Sequence, residues 1–126
     1  GPPSQEGAIA SLGKRAELAY QRGRWSEAAE IARHALDLSE PSDKRRQGLQ
    51  CLRGEALLKA GEPRLADAAF SEVLDAGDSP YRARALLSGA LARAALGDDL
   101  GADALRQELQ QAHPAGALEG EPAAGR

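Results

Sequence analysis

The sequence predicts an all-α protein made of three stacked antiparallel helical hairpins. Three segments of the chain align with one another on a glycine, and each of these glycines lies between two stretches with helical periodicity. The composition agrees, because the chain is rich in Ala, Leu, Arg and Glu but has one Trp, one Phe and two Tyr. Such usage favours helices packed through small side chains over a sheet of β-branched and aromatic residues. A length of 126 residues suits one domain.

The repeat keeps a constant register around its turn glycines, which are Gly23, Gly61 and Gly97. An alanine follows each glycine by five residues, and a small residue precedes each glycine by seven. The alanines are Ala28, Ala66 and Ala102, and the small residues are Ala16, Gly54 and Ala90. Because glycine tolerates positive φ in the tight turn of an αα-hairpin, each repeat is predicted to be helix, turn, helix.

The elements can be placed in order along the chain. The first helices of the hairpins are predicted over residues 8–21, 45–59 and 81–95, and the second helices over 26–38, 64–75 and 100–112. Pro41 and Pro80, with Ser and Asp neighbours, separate one hairpin from the next. The predicted hairpins are thus 8–38, 45–75 and 81–112, preceded by a flexible, tag-derived lead over 1–7 and followed by a flexible tail over 115–126.

Over about residues 8–114, these hairpins resemble the tetratricopeptide repeat (TPR) family. The matching segments are GRWSEAAEIARHAL, LRGEALLKAGEPRLADAAFSEVL with Gly54, Ala66 and Phe70, and the closing His113-Pro114. The family usually has Leu where Arg15 and Arg53 stand, and an aromatic residue where Ala32 and Arg106 stand. The resemblance implies a short right-handed superhelix, an α-solenoid, whose concave surface is lined by the first helices. A generic helical bundle or another helical-hairpin solenoid is the alternative fold.

The width of the apolar stripe predicts which helices lie at the ends of the array. The last helix has one stripe of Ala102, Leu105, Leu109 and Ala112, and the first helix has one of Leu12, Ala16 and Ala19. Both helices are therefore expected to face solvent on their other sides, so that three hairpins complete the array. The segment from Ala83 to Leu96 is apolar nearly all round and needs cover on more than one face.

Charge and cysteine content narrow the classes of partner. A net charge of −3 with a pI near 5.4 argues against binding to nucleic acid or to an anionic membrane surface. The lone Cys51 cannot form an internal disulfide, which favours a cytoplasmic location. No apolar run approaches the roughly 20 residues of a membrane span, and the first residues do not form a signal peptide. Gly1-Pro2 resembles a protease-cleavage scar, so an upstream signal can have been removed.

Catalytic interpretations find little support in the residue pattern. The sequence has no Gly-rich phosphate loop, no metal-spaced set of His or Cys, and no nucleophile elbow. His34, His113 and Cys51 are far apart in sequence, and Asp98-Asp99 stands at a predicted helix start, where carboxylates favour the helix dipole. We therefore expect no enzyme activity, no cofactor and no metal site.

The TPR resemblance implies a partner-binding groove along the first helices. Its predicted lining residues are Lys14, Glu17, Tyr20, Gln21, Cys51, Glu55, Leu58, Lys59, Arg84, Leu87, Ser88 and Leu91. Gly13, Leu52 and Ala94 are aligned with the same surface. The surface grades from polar in the first hairpin to apolar in the third.

Some TPR domains clamp the C-terminal carboxylate of heat-shock chaperones with Lys, Asn and Arg side chains. The matching positions here are Gly13, Glu17, Leu52, Arg84 and Ser88. Only Arg84 has the required charge, and Glu17 would repel a carboxylate. The sequence therefore argues against a chaperone-tail clamp.

The predicted function is a protein-interaction module, an adaptor or scaffold within a larger regulatory, secretion or assembly protein. Its expected ligand is an apolar helix or extended segment of a partner protein that lies across Leu58, Leu87 and Leu91. The alternative is a structural domain whose apolar third hairpin forms a homodimer.

Overall fold

The structure, a computed structural model, describes residues 3–112, with side chains from residue 5 onward. It consists of six helices, and no strand occurs between residues 3 and 112. The helices are α1 Pro3–Gln21, α2 Trp25–Leu38, α3 Arg45–Lys59, α4 Pro63–Asp75, α5 Arg82–Ala95 and α6 Asp99–Ala112. The all-α prediction is confirmed. All six helices end at the predicted residue, and the last five begin within one residue of the predicted start.

The first helix is longer than predicted. It begins at Pro3, a residue that suits the first helical position because its missing N–H would have no partner there. Residues 3–7 are therefore helical and not the flexible lead that the sequence suggested. Two contacts hold this extra turn: the Gln5 side chain donates a 2.6 Å hydrogen bond to the Leu38 carbonyl, and the Glu6 carboxylate accepts a 3.1 Å hydrogen bond from Arg45. The predictions for residues 113–126 lie outside the described residues.

The three turn glycines adopt the same geometry. Gly23, Gly61 and Gly97 have φ of 78°, 82° and 82°, as the sequence predicted. In the first turn, the Arg24 N–H donates to the Ala19 carbonyl at 2.9 Å and the Gly23 N–H donates to Tyr20 at 3.0 Å, and the other two turns repeat both bonds. These bonds satisfy carbonyls that the end of a helix leaves without partners. Each turn therefore stops one helix and starts the next within three residues.

The helices pack in order along the chain. Each helix contacts the next, and α1 also contacts α3, as α3 contacts α5. No such contact joins α2 to α4 or α4 to α6 within the described part of the chain. The odd-numbered helices are therefore closer to one another than the even-numbered helices are.

Small residues allow the two helices of a hairpin to approach closely. A β-carbon added at Gly54 would lie 2.6 Å from Cε1 of Phe70, which is almost fully buried in the largest core cluster. Ala16 and Ala90, at the same register, are also buried. In the first hairpin, Ala32 takes the place of Phe70 and packs with Ala16 in a smaller cluster.

Two arginines join successive hairpins in the same way, a feature that sequence reasoning missed. Arg46 and Arg82 both stand fifteen residues before their turn glycine. Arg46 donates to the Leu36 carbonyl at 2.9 Å, and Arg82 donates to the Leu74 carbonyl at 2.8 Å. Because both carbonyls stand thirteen residues after the preceding turn glycine, this contact is part of the repeat.

Candidate interaction surface

An open groove of about 320 Å³ runs between the odd-numbered helices. We call it the odd-helix groove, and its lining residues are Ile9, Ala10, Gly13, Lys14, Glu17, Arg45, Gly48, Leu49, Leu52, Tyr81 and Arg84. Five of the residues that the sequence places on the inner surface come together here: Gly13, Lys14, Glu17, Leu52 and Arg84. The groove has a largely apolar floor, because Ile9, Leu49 and Leu52 are buried, while Lys14 and Glu17 are exposed at its edge.

The arginines of the odd-helix groove already have acidic partners. Arg84 makes two hydrogen bonds to the Glu55 carboxylate, at 2.7 and 3.2 Å, and its guanidinium lies 5.7 Å from the centre of the Tyr81 ring. Arg45 bonds to Asp43 at 2.7 Å and to Glu6 at 3.1 Å. These two arginines therefore offer a guest little uncompensated positive charge, and Lys14 is the remaining cation of the groove.

An aromatic pair lies near the other end of α1. The rings of Tyr20 and Trp25 meet edge to face with centroids 5.0 Å apart, and the Lys59 ammonium lies 5.5 Å from the centre of the Trp25 ring. Burial raises the pKa of the half-buried Tyr20 hydroxyl, and the nearby Glu55 carboxylate raises it further. Of the predicted residues in this region, Gln21 and Lys59 are exposed.

The expectation that Cys51 lines the groove is wrong. Its side chain is 0 % exposed, with Sγ 3.6 Å from the Tyr81 carbonyl oxygen of the next hairpin. Burial raises the pKa of the thiol to about 11, so the thiol stays protonated near neutral pH. Cys51 is therefore a small apolar core residue and cannot contact a partner.

The three leucines predicted to bind a partner differ in exposure. Leu58 is half-buried against the core, whereas Leu87 is 45 % exposed and Leu91 is 53 % exposed. Leu87 and Leu91 follow Arg84 on α5 by three and seven residues, which places all three on one side of the helix. Ser88 beside them is half-buried. Neither exposed leucine lines the odd-helix groove.

Sequence reasoning missed Tyr81 and Gly48 as groove residues. The Tyr81 ring lies directly over Gly48, where an added β-carbon would be only 2.9 Å from the ring. An isolated glycine inside a predicted helix often marks such a close approach, so Gly48 was the available signal. Arg45 and Ile9 also line the groove; Arg45 begins α3 and Ile9 lies next to the predicted start of α1, where no pattern distinguished them.

Three further findings bear on function. Among residues 3–112, no three His, Cys, Asp or Glu side chains lie close enough together to hold a metal ion. None of the described helices combines the length and the apolar character needed to cross a membrane. Comparison of the chain with protein-family models, with curated proteins and with solved structures finds no match. The function proposed below is therefore inferred from this chain's own residues and contacts.

Proposed function

We propose that the chain is a protein-interaction module that binds a partly apolar helix or extended segment of a partner protein. The observation that carries the proposal is the pair Leu87 and Leu91, which stand one turn apart on α5 and are 45 % and 53 % exposed. Large apolar side chains exposed as a neighbouring pair are typical of contact surfaces. The module acts by holding its partner, as an adaptor or scaffold, and not by catalysis.

We infer a TPR-like α-solenoid as the architecture of this module. The identical turns at the three glycines and the repeated arginine contacts of Arg46 and Arg82 support a repeat array over a generic bundle. The closer spacing of the odd-numbered helices supports a stack that curves toward them. In such a superhelix, the odd-numbered helices form the concave side.

The proposed partner is apolar and not a free carboxylate or a polyanion. Arg84 is neutralised by Glu55, and Glu17 stands at the same groove, so a carboxylate would meet as much negative charge as positive charge. The net charge of −3 likewise disfavours nucleic acid and anionic lipid as partners. A single buried cysteine supports the proposed cytoplasmic location.

Affinity capture with matched leucine variants tests this function. We expect the variant carrying Leu87→Glu and Leu91→Glu to retain its partner at least about tenfold less well than the original chain, since two apolar contacts are lost. Leu100→Glu is the control, because Leu100 is 86 % exposed at the start of α6, where a carboxylate suits the helix dipole. Circular dichroism should show equal helix content in both variants. A partner retained equally by all three proteins would contradict the proposal.

Light scattering over a range of concentrations tests the alternative function. A homo-oligomerising structural domain would bury Leu87 and Leu91 between two copies, so its mass would double as concentration rises. A constant monomer mass, together with a partner lost by the double variant, supports the interaction module.

A further inference from the structure

The register of the repeat shows what faces Leu87. Positions are counted here from the turn glycine, so that Gly13, Cys51 and Leu87 are all at −10. A β-carbon at Gly13 would lie 3.8 Å from Leu49 of the second hairpin, and Cys51 contacts Tyr81 at the start of the third. In both cases, position −10 faces the following hairpin. Leu87 is thus the residue that a following first helix would cover.

Position −6 leads to the same result for Leu91. In the second hairpin, this position is Glu55, which bonds to Arg84 of the following hairpin. In the third hairpin, it is Leu91, which is exposed. Leu87 therefore continues the surface by which both earlier hairpins contact the next, and Leu91 continues the contact that Glu55 makes in the second hairpin. Together with the half-buried Ala83 and Ala94, they form the outer face of α5.

An open cavity of about 490 Å³ adjoins this face at the start of α5 and the end of α6. Its apolar lining includes Ala83 and Leu86, at positions −14 and −11. The same positions in the first hairpin are Ile9 and Leu12, and there Leu49 of α3 packs against them in one buried cluster. A helix that follows the third hairpin would place a side chain in this cavity in the same manner.

Polar groups at the cavity and at the neighbouring end of α6 favour a cation. Arg46 and Arg82 each reach back to a carbonyl at position +13 of the preceding hairpin. In the third hairpin, position +13 is Gln110, in the last turn of α6, where helix carbonyls and the dipole favour positive charge. The exposed Asp78 lines the same cavity, and the charge of Arg82, which also lines it, is already balanced by Glu108. A helix that begins here would therefore be stabilised by Arg or Lys in its first turn.

We propose that the partner segment is an amphipathic helix with Arg or Lys in its first turn, and that it packs on the outer face of α5 as the first helix of a fourth hairpin would. This inference rests on the proposed function and names the chemistry of the bound segment. Residues 113–126 contain one large apolar residue, Leu118, so these residues lack the repeated apolar side chains that such a helix needs. The outer side of α1 in a second copy also fits poorly, because it carries Arg15 and Arg22.

A duplication within the intact chain tests whether α5 accepts such a helix. A second copy of residues 39–75 is inserted between Ala112 and His113, which reproduces the register in which Ser39 follows Leu38. The first helix of this copy begins with Arg45 and Arg46, directly after Lys44, and thus carries the required cationic turn. We expect Tm to rise by about 5 °C or more and amide exchange in α5 to slow about tenfold. The extended chain should also lose the partner that the original chain retains.

Two matched variants of the extended chain show whether the rise in Tm depends on docking of the inserted hairpin against α5. Leu87→Glu in the host helix should cancel the rise in Tm, and Arg46→Glu in the inserted copy should reduce it. Circular dichroism confirms that the inserted hairpin is helical. An inserted hairpin that is helical but leaves both Tm and α5 exchange unchanged would overturn the inference.

Failure of this inference is distinguishable from failure of the proposed function. If the extended chain still retains the partner while the Leu87→Glu and Leu91→Glu double variant loses it, the module binds its partner at another part of the surface, and only the end-docking helix is wrong. If the original chain doubles its mass with concentration and Leu87→Glu prevents this, the occupant is a second copy, which also overturns the inference.

Discussion

The outer surfaces of the first and third hairpins differ in polarity. The outer side of α1 carries Ser11, Arg15 and Arg22, all exposed, around one leucine, Leu18, that is 44 % exposed. The outer face of α5 carries Leu87 and Leu91 and no charged residue between them. Since the end of a repeat array needs a polar outer surface to remain soluble, α1 meets this requirement and α5 does not.

The inner hairpins show why the ends differ. Position −12 is Leu49 in α3 and Ala85 in α5, both buried against the preceding hairpin, whereas in α1 it is the exposed Ser11. The polar residue at this one register position fits the solvent-facing side that the sequence predicts for α1. No equivalent substitution occurs at positions −10 and −6 of α5, where Leu87 and Leu91 stand. That three hairpins complete the array stays a prediction: the exposed polar side of α1 agrees with it, whereas the exposed leucines of α5 leave a surface on which a further helix can pack.

The largest expected loss of stability is at Leu49, which is packed between the first and second hairpins. It is compared with Leu87, on the exposed outer face of α5. Leu49 packs in a buried cluster with Ile9, Leu12 and Leu36, so Leu49→Ala should lower the free energy of unfolding by about 3 kcal/mol. Leu87→Ala should change it by no more than about 0.5 kcal/mol, because nothing described in the structure covers that side chain fully. Urea unfolding of both variants gives the two values. Equal losses would mean that the two junctions are packed alike and would remove the contrast between them.

A substitution at Gly54 tests how tightly the two helices of the second hairpin are packed against each other. Gly54→Ala should lower the free energy of unfolding by about 2 kcal/mol, because the new methyl would lie 2.6 Å from a ring carbon of the buried Phe70. This loss exceeds the roughly 1 kcal/mol that alanine gains over glycine in a helix.

Gly7→Ala in α1 is the matched control for this substitution. Beyond α1's own backbone and the two chain neighbours, no atom of the described residues lies within 4 Å of the added carbon, so the helix propensity of alanine should raise stability by up to about 1 kcal/mol. Thermal unfolding should therefore shift in opposite directions for the two variants. A stabilised Gly54→Ala would show that the second hairpin can separate its helices at little cost.

The smallest expected effect concerns the turns that lead into α3 and α5. Hydrogen bonds from the Arg45 side chain and backbone lower the pKa of Asp43 to about 2. Because the folded value is below the unfolded one, this stabilisation is present above about pH 4 and is lost as pH falls toward 2. Asp43→Asn should cost no more than about 1 kcal/mol near neutral pH, since Arg45 is solvent-exposed, and the difference should vanish in acid.

Ser79 occupies the same register before α5 and serves as the control. Its hydroxyl accepts a 3.1 Å hydrogen bond from the Tyr81 N–H, as the Asp43 carboxylate accepts one from the Arg45 N–H. Serine does not titrate, so the effect of Ser79→Ala should be independent of pH. Urea unfolding at several pH values measures both variants, and a pH-independent loss for Asp43→Asn would contradict the assigned pKa.

The sequence by itself determined the local structure of this protein. Each helix and each of the turns at Gly23, Gly61 and Gly97 was predicted within one residue, apart from the start of α1. These features depend on interactions within a few residues, namely capping, helical periodicity and the tolerance of glycine for positive φ. The longer start of α1 was not predicted because it is held by a hydrogen bond from Gln5 to the distant Leu38.

Only the tertiary structure decided which side chains reach solvent. Cys51 and Leu87 share a register position, yet Cys51 is buried by the hairpin that follows it and Leu87 is exposed where the described array ends. The groove depends in the same way on Tyr81 lying over Gly48 of another helix. Exposure is set by the size and distance of residues that are remote in sequence, so periodicity along one helix could not distinguish a sealed position from a surface available to a partner.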